Sequence, residues 1–102
     1  MRSIHAPDDL LPAAKAIARE IADNTAPVSV AINRQLIWRM AGARHPMEAH
    51  QADSRGIQAR GKSGDAREGV TSFLEKRPPN YPDKVSSDLP DIWDHWDQPT
   101  FS

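Results

Sequence analysis

The chain has 102 residues, of which 38% are hydrophobic and 26% charged, and its mean hydropathy is −0.66. This length allows one small domain, or one piece of a larger protein, with a lean hydrophobic core. Because the chain has no cysteine, disulfides, thiolate zinc sites and iron–sulfur clusters are excluded.

The charge balance argues against a nucleic-acid binder, because the net charge is −1 and such proteins usually carry a basic excess. The charge is unevenly distributed. Residues 1–82 hold 12 Lys and Arg against 9 Asp and Glu, whereas residues 83–102 hold one Lys against five Asp. The acidic C-terminal segment is therefore either a solvated tail or a segment that folds back on a basic face.

The N-terminal residues MRSIHAPDD lack the apolar stretch of a signal peptide. No segment approaches the roughly 18 apolar residues of a membrane span. We therefore expect a cytoplasmic protein with no membrane partner.

Two helices are predicted in the first half of the chain. The first runs from about Asp9 to Asn24, and the second from Pro27 to about residue 41. The apolar positions of the first helix recur at helical spacing, namely Leu10, Ala14, Ile17 and Ile21. The second helix has an apolar row at Val28, Ile32, Leu36 and Met40, widened by Ala31, Ile37 and Trp38. This stripe is wide enough to predict packing on two sides.

Two further helices follow. The third, about residues 46–61, is weakly apolar, and Gly56 lowers its helix propensity by roughly 1 kcal/mol relative to Ala. The fourth begins near Ser63 or Gly64, ends near Lys76-Arg77 before Pro78-Pro79, and has an apolar face formed by Val70, Phe73 and Leu74.

The C-terminal segment contains Trp93, Trp96 and Phe101, although a disordered tail is usually poor in aromatic residues. We expect part of it, about Leu89–Trp96, to pack on the helices with a short turn of its own. The predicted fold is therefore all-α, with about four helices in a small orthogonal or antiparallel bundle and an irregular aromatic tail. The predicted boundary separates a helical domain, 1–82, from an acidic extension, 83–102.

Few residues fit a catalytic or metal site. The four histidines do not have the spacing of a metal-binding helix, and no phosphate-binding glycine motif is present. The acids Asp65 and Glu68 are best explained as helix-start residues, which the helix dipole stabilises. Four basic residues lie near the junction of the third and fourth helices, namely Arg55, Arg60, Lys62 and Arg67. Because no aromatic residues are interleaved with them, a DNA-binding role is disfavoured.

Phe73 and Lys76 are neighbours at i, i+3 on the fourth helix. An exposed ring beside an ammonium group can stack on a base and bind a phosphate. The alternative is that Phe73 is a core residue and Lys76 a solvated cation at the helix end.

The segment 63–79, SGDAREGVTSFLEKRPP, resembles the C-terminal signature of the enoyl-CoA hydratase/isomerase (crotonase) family. Residues 3–22 and 26–34 resemble the family's last strand and the helices that follow it, with Arg34 where a Lys is usual. Gly64 stands where the family usually has an acid, which predicts a softer helix start. The segment after Tyr81 lies outside the family pattern.

The resemblance implies a C-terminal helical domain that packs subunits into trimers and helps to cover coenzyme A (CoA). Independently, the apolar faces of the first two helices would be exposed in this segment alone and predict a homo-oligomer, either a dimer or a trimer. The resemblance implies that Phe73 and Lys76 approach the adenine and 3′-phosphate of CoA. It also implies that the catalytic glutamates and oxyanion-hole amides lie outside this segment, so no catalytic residue, metal or required cofactor is assigned and the chain alone is expected to be inactive. The alternatives are a free-standing helical interaction module without a CoA role and, disfavoured by charge, a small DNA-binding regulator.

Overall fold

A computed structural model describes residues 3–93, which form five α-helices and no strand. The elements are α1 (Pro7–Asn24), α2 (Pro27–Met40), α3 (Pro46–Gly61), α4 (Gly64–Glu75) and the short α5 (Val85–Asp88). The predicted all-α class is confirmed. The short turn expected within Leu89–Trp96 is not found in residues 89–93; the helical turn of this segment is α5, which lies just before that range.

The helix boundaries follow local chemistry. Proline stands in the first turn of α1, α2 and α3, where its missing N–H leaves no hydrogen bond unmade. At the start of α4, the Ser63 hydroxyl accepts a hydrogen bond from the Ala66 N–H at 3.1 Å. At the end of α1, the Thr25 hydroxyl donates to the Ile21 carbonyl at 2.6 Å. These residues explain why the sequence predicted the helix boundaries within one or two residues.

The core lies where α2 and α3 meet the C-terminal strap, which we define as residues 89–93. Val28 and Ile32 of α2 and Ile92 of the strap are the buried members of the cluster, with Leu36 and Trp93 packed against it. Ile92 is only 2% exposed, so the strap supplies one of the main core side chains. The expectation that part of the segment 89–96 packs on the helices is therefore confirmed for residues 89–93, while Trp96 lies outside the described residues.

Gly56 of α3 is buried and faces the core. A Cβ atom built at Gly56 would lie 3.5 Å from Ile92 Cδ1 and 3.6 Å from Ile32 Cγ2. These are ordinary van der Waals distances, so the α3 backbone packs against the core here and a side chain as small as alanine would also fit. The Arg39 guanidinium lies 4.6 Å from the centre of the Trp93 ring and covers this strap residue.

The first helix and the outer side of the second contribute little to the core. No residue of α1 is buried, and Leu10 and Leu11 are 59% and 61% exposed. On α2, Ile37 and Trp38 are also exposed, at 71% and 68%. The part of the predicted stripe formed by Ile37 and Trp38 is therefore not covered within residues 3–93, whereas α2 does contact both α3 and α5.

The arrangement is more open than a close-packed bundle. The radius of gyration is 16.7 Å, whereas a compact domain of this length has about 13 Å. No helix among residues 3–93 has the length and apolar character needed to cross a lipid bilayer.

Candidate ligand-contact site at the end of the fourth helix

Phe73 and Lys76 lie at the C-terminal end of α4, on its solvent side. The Phe73 side chain is 81% exposed, together with Val70 at 62% and Leu74 at 73%. The alternative in which Phe73 is a core residue is therefore wrong within this chain. No hydrogen bond or ion pair within residues 3–93 holds the Lys76 ammonium. An apolar ring and a cation without a partner are thus both available at this helix end.

Lys76 does not continue the helix. It adopts a left-handed conformation, with φ 55° and ψ 40°, and ends α4. The Lys76 N–H donates to the Phe73 carbonyl at 3.3 Å, and the Arg77 N–H donates to the Ser72 carbonyl at 3.0 Å. This is the hydrogen-bond pattern of a Schellman cap, in which glycine is the usual left-handed residue. A side chain in that position costs about 1 kcal/mol.

The chain after Lys76 is held against α4 by what we call the Glu68 clamp: Glu68, Arg77 and Asn80. Both nitrogens at the end of the Arg77 guanidinium donate to the Glu68 carboxylate, at 2.6 and 2.9 Å. The Asn80 N–H donates to the same carboxylate at 2.7 Å. Arg77 Nε also donates to Glu75 at 2.6 Å. Two planar, charge-assisted contacts on one carboxylate fix the orientation of Arg77.

The clamp also sets the protonation of its members. Hydrogen bonds from Arg77, joined by the Asn80 N–H, lower the pKa of the Glu68 carboxyl from 4.5 to about 2. The hydrogen bonds to Glu68 and Glu75 raise the pKa of Arg77 further above its already high range. Glu68 is therefore an anion and Arg77 a cation throughout the physiological range.

A second polar cluster joins the start of α4 to the segment that precedes α5. Arg60 Nη2 lies 2.8 Å from the Asp65 carboxylate and 2.7 Å from the Asp83 carboxylate. The Asp83 N–H donates to Asp65 Oδ1 at 3.0 Å, and the Asp65 N–H donates to Asp83 Oδ2 at 3.3 Å. The structural interpretation of Asp65 is supported, since its carboxylate is only 3% exposed and fully engaged.

Gly64 makes room for this cluster. A Cβ atom at Gly64 would lie 2.7 Å from Asp83 Oδ1 and 3.0 Å from Pro82 Cγ. The Asp83 carboxylate thus occupies the space of a side chain at position 64 and accepts a hydrogen bond from the Asp65 N–H of the first turn of α4. The helix start is reinforced by this contact rather than softened.

The basic residues around the α3–α4 junction do not form a common outward surface. The Arg60 guanidinium is 14% exposed and lies between two carboxylates. Arg55 Nη1 donates to the Ile92 carbonyl at 3.5 Å. Within the part of the chain that the structure describes, no group of three or more His, Asp or Glu side chains has the arrangement of a metal site.

Sequence patterns did not indicate the pairing of Glu68 with Arg77 or of Asp83 with Asp65. These partners are separated by 9 and 18 residues, beyond the spacing that makes neighbours on one helix. The only local signal was the Pro78-Pro79 pair, which requires the chain to leave the helix direction after Arg77.

The chain is similar to enoyl-CoA hydratases from the fungus Alternaria alternata. Enoyl-CoA hydratase AFT3-1 is 41% identical over 83 residues, or 81% of this chain and 27% of that protein. Enoyl-CoA hydratase AKT3-2 is 40% identical over the same shares. Enoyl-CoA hydratase ACTT3 is 44% identical over 75 residues, or 74% of this chain and 25% of that protein. No family model matches the chain.

These similarities confirm the relationship that the motif in residues 63–79 indicated: the chain belongs to the enoyl-CoA hydratase (crotonase) family. It spans only about a quarter of the length of the curated relatives that it matches, which is consistent with a C-terminal segment of such a protein. Any continuous stretch of 83 residues in a chain of 102 includes residues 20–83. The regions matched to AFT3-1 and AKT3-2 therefore contain Phe73, Lys76 and the Glu68 clamp.

Proposed function

We propose that this chain is the C-terminal segment through which a crotonase-family protein assembles its subunits and covers bound CoA. In this proposal, the Phe73 ring stacks on the adenine and the Lys76 ammonium binds the 3′-phosphate. The complete protein would act on acyl-CoA thioesters in fatty acid metabolism, as a hydratase or an isomerase in the cytoplasm. The segment itself contributes binding and assembly, and we assign no catalytic residue to it.

The observation that carries this proposal is the presence, at one helix end, of an exposed ring and a cation that has no partner within residues 3–93. Phe73 is 81% exposed, although burying a Phe side chain contributes about 1.5–3 kcal/mol. A flat apolar group and a phosphate on one ligand would satisfy both residues, because lysine is a common point-charge ligand for phosphate.

The experiment is native mass spectrometry of the purified chain with and without added CoA, followed by titration with CoA and 3′-dephospho-CoA observed by NMR. We expect an oligomer, a dimer or trimer, and ligand-induced shifts centred on Phe73 and Lys76. Weak binding is expected, because the rest of the CoA site lies outside this segment in the proposal. The shifts should be larger for CoA than for 3′-dephospho-CoA.

The matched control is Lys62→Ala, which removes another exposed lysine near the start of the same helix. Lys76→Ala should weaken CoA binding about tenfold, as expected for the loss of one charged contact, while Lys62→Ala should leave it unchanged. Equal effects of the two variants, or a preference for 3′-dephospho-CoA, would reject the proposed phosphate contact.

The second candidate function is a helical interaction module without a CoA role. It is favoured by α1, whose apolar side chains lie exposed in this chain. An oligomer that shows no CoA-induced shift at Phe73 or Lys76 would support this alternative. A monomer with no CoA response would contradict both candidates for the chain alone.

A further inference from the structure

Lys76 is the only non-glycine residue with a positive φ among residues 3–93. Glycine would adopt this cap conformation without steric cost. A lysine at the same position therefore makes the folded chain less stable than glycine would, but it provides a charged side chain. Strained positions of this kind are concentrated at binding and catalytic sites. The left-handed conformation of Lys76 therefore indicates that its side chain has a binding role and that other contacts stabilise this conformation.

The next residue, Arg77, is also a cation, but its positive charge is paired with acidic side chains. Its guanidinium contacts two carboxylates, those of Glu68 and Glu75. The contact with Glu68 is bidentate, and the Glu68 side chain is only 17% exposed. Among the described residues, Lys76 is thus the cation at this turn that no carboxylate holds.

The Glu68 clamp also restrains the backbone on the far side of Lys76. Glu68 lies on α4 before the turn, while Arg77 and Asn80 lie after it, and all three meet at one carboxylate. The chain must reverse between Glu75 and Arg77 for these contacts to form. A left-handed residue at position 76 provides that reversal.

We infer that Glu68 is a positioning residue: by binding Arg77 and the Asn80 N–H, it holds Lys76 in the left-handed turn and leaves Lys76 as the single cation that faces the ligand. This inference rests on the proposed function for the identity of the ligand, a nucleotide with a terminal phosphomonoester. A single ammonium then distinguishes ligands with that phosphate from ligands without it.

The first test replaces the strained residue. Lys76→Gly should raise the melting temperature by about 4 °C, because glycine adopts this conformation freely. The same variant should bind adenosine 3′,5′-bisphosphate about tenfold more weakly than the unchanged chain. A melting temperature that stays the same or falls would overturn the idea that stability is given up for a cation at this position.

The second test releases the clamp with Glu68→Gln and, independently, Arg77→Gln. Two quantities are measured by NMR: the intraresidue HN–Hα NOE of Lys76, which is strong at positive φ, and the ratio of affinities for adenosine 3′,5′-bisphosphate and adenosine 5′-phosphate. Both should decrease in both variants, the ratio by at least about threefold. A purely structural pair would leave the ratio unchanged in folded protein.

The matched control is Glu75→Gln, since Glu75 contacts the same guanidinium through one oxygen and is 57% exposed. It should change neither quantity. The inference is overturned if Glu68→Gln leaves both quantities unchanged, or if Glu75→Gln lowers them equally. If the unchanged chain binds neither nucleotide, the proposed function fails, and the NOE alone supports or overturns the positioning role of Glu68.

Discussion

The two halves of the molecule are held together by different forces. Where α2, α3 and the strap meet, the buried side chains are apolar, with Val28, Ile32 and Ile92 at 0–4% exposure. Around α4 the buried residues are polar, namely Asp65 and Ser72, and hydrogen bonds and ion pairs connect the helix to the chain that follows. The same helix keeps Val70, Phe73 and Leu74 exposed.

This difference shows how a small domain can leave an apolar helix face exposed to solvent. Because polar clusters fasten α4 on one side, its apolar row is not needed for the fold of this chain. A helix fastened by Arg60, Asp65, Asp83 and the Glu68 clamp can present Phe73 to another molecule. In the α2–α3 half the buried apolar side chains form the core, although Ile37, Trp38 and Ile57 remain exposed there too.

The largest expected effect comes from the apolar half. Ile32→Ala should lower the free energy of unfolding by about 3–4 kcal/mol, because a buried isoleucine loses its contacts and leaves a cavity. Ile37→Ala on the same helix should change it by less than about 0.5 kcal/mol, since Ile37 is 71% exposed. Urea unfolding monitored by circular dichroism measures both. Equal losses would mean that the outer side of α2 is covered in solution.

The next effect concerns the buried polar cluster. Asp65→Ala should cost about 3 kcal/mol, because it removes one partner of an ion pair with little solvent access. The exposed pair of Arg19 and Asp23, at 3.7 Å, supplies the control, and Asp23→Ala should cost less than about 1 kcal/mol. If the two losses in urea unfolding were similar, α4 would be held by something other than this cluster.

A smaller effect is expected from crowding at the start of α4. Gly64→Ala should destabilise the chain by about 1–2 kcal/mol, because its methyl group would displace the Asp83 carboxylate. Gly61→Ala is the control, since no atom lies within 4 Å of its added Cβ, and it should be neutral or stabilise by up to about 1 kcal/mol. Thermal unfolding of the two variants would show opposite shifts. A neutral Gly64→Ala would mean that the Asp83 contact is dispensable.

The smallest effect is a pH dependence from the Glu68 clamp on the surface. Folding lowers the pKa of Glu68 from 4.5 to about 2, so its ionised form stabilises the folded state above pH 4.5. This contribution should decline as the pH falls from 4.5 towards 2. The stability difference between the unchanged chain and Glu68→Gln should decrease over the same window. Arg77→Gln should reduce this pH dependence to the part that the Asn80 N–H supplies, and a constant difference across the window would contradict the assignment.

Local sequence features predicted the helices well and their packing less well. Pro7, Pro27, Pro46 and Ser63 act within their own helix turns, so their effect on the helix starts is readable without the fold. The apolar rows of α1 and α4 could also be predicted from the sequence. Whether these rows are buried could not be predicted, because an apolar row indicates which face can be covered and not whether this chain covers it.

The candidate site shows the same division. The family resemblance pointed to Phe73 and Lys76, while the exposure of Phe73 and the left-handed turn at Lys76 emerged only from the structure. Gly56 and Gly64 were read as weaknesses of their helices. Gly64 in fact makes room for the Asp83 carboxylate, and Gly56 lies against Ile92 of the strap.

By itself, the sequence determined the all-α class, the helix boundaries and the kinship with enoyl-CoA hydratases. These depend on local hydrogen bonding, proline geometry and a contiguous motif. Only the tertiary structure decided that the strap completes the core, that Asp83 reinforces α4, and that Glu68 holds Arg77 beside Lys76. The hydrogen bonds among these contacts join residues separated by 9 to 37 positions, and the core cluster joins residues still farther apart; chain reversal, which no local pattern encodes, brings them together.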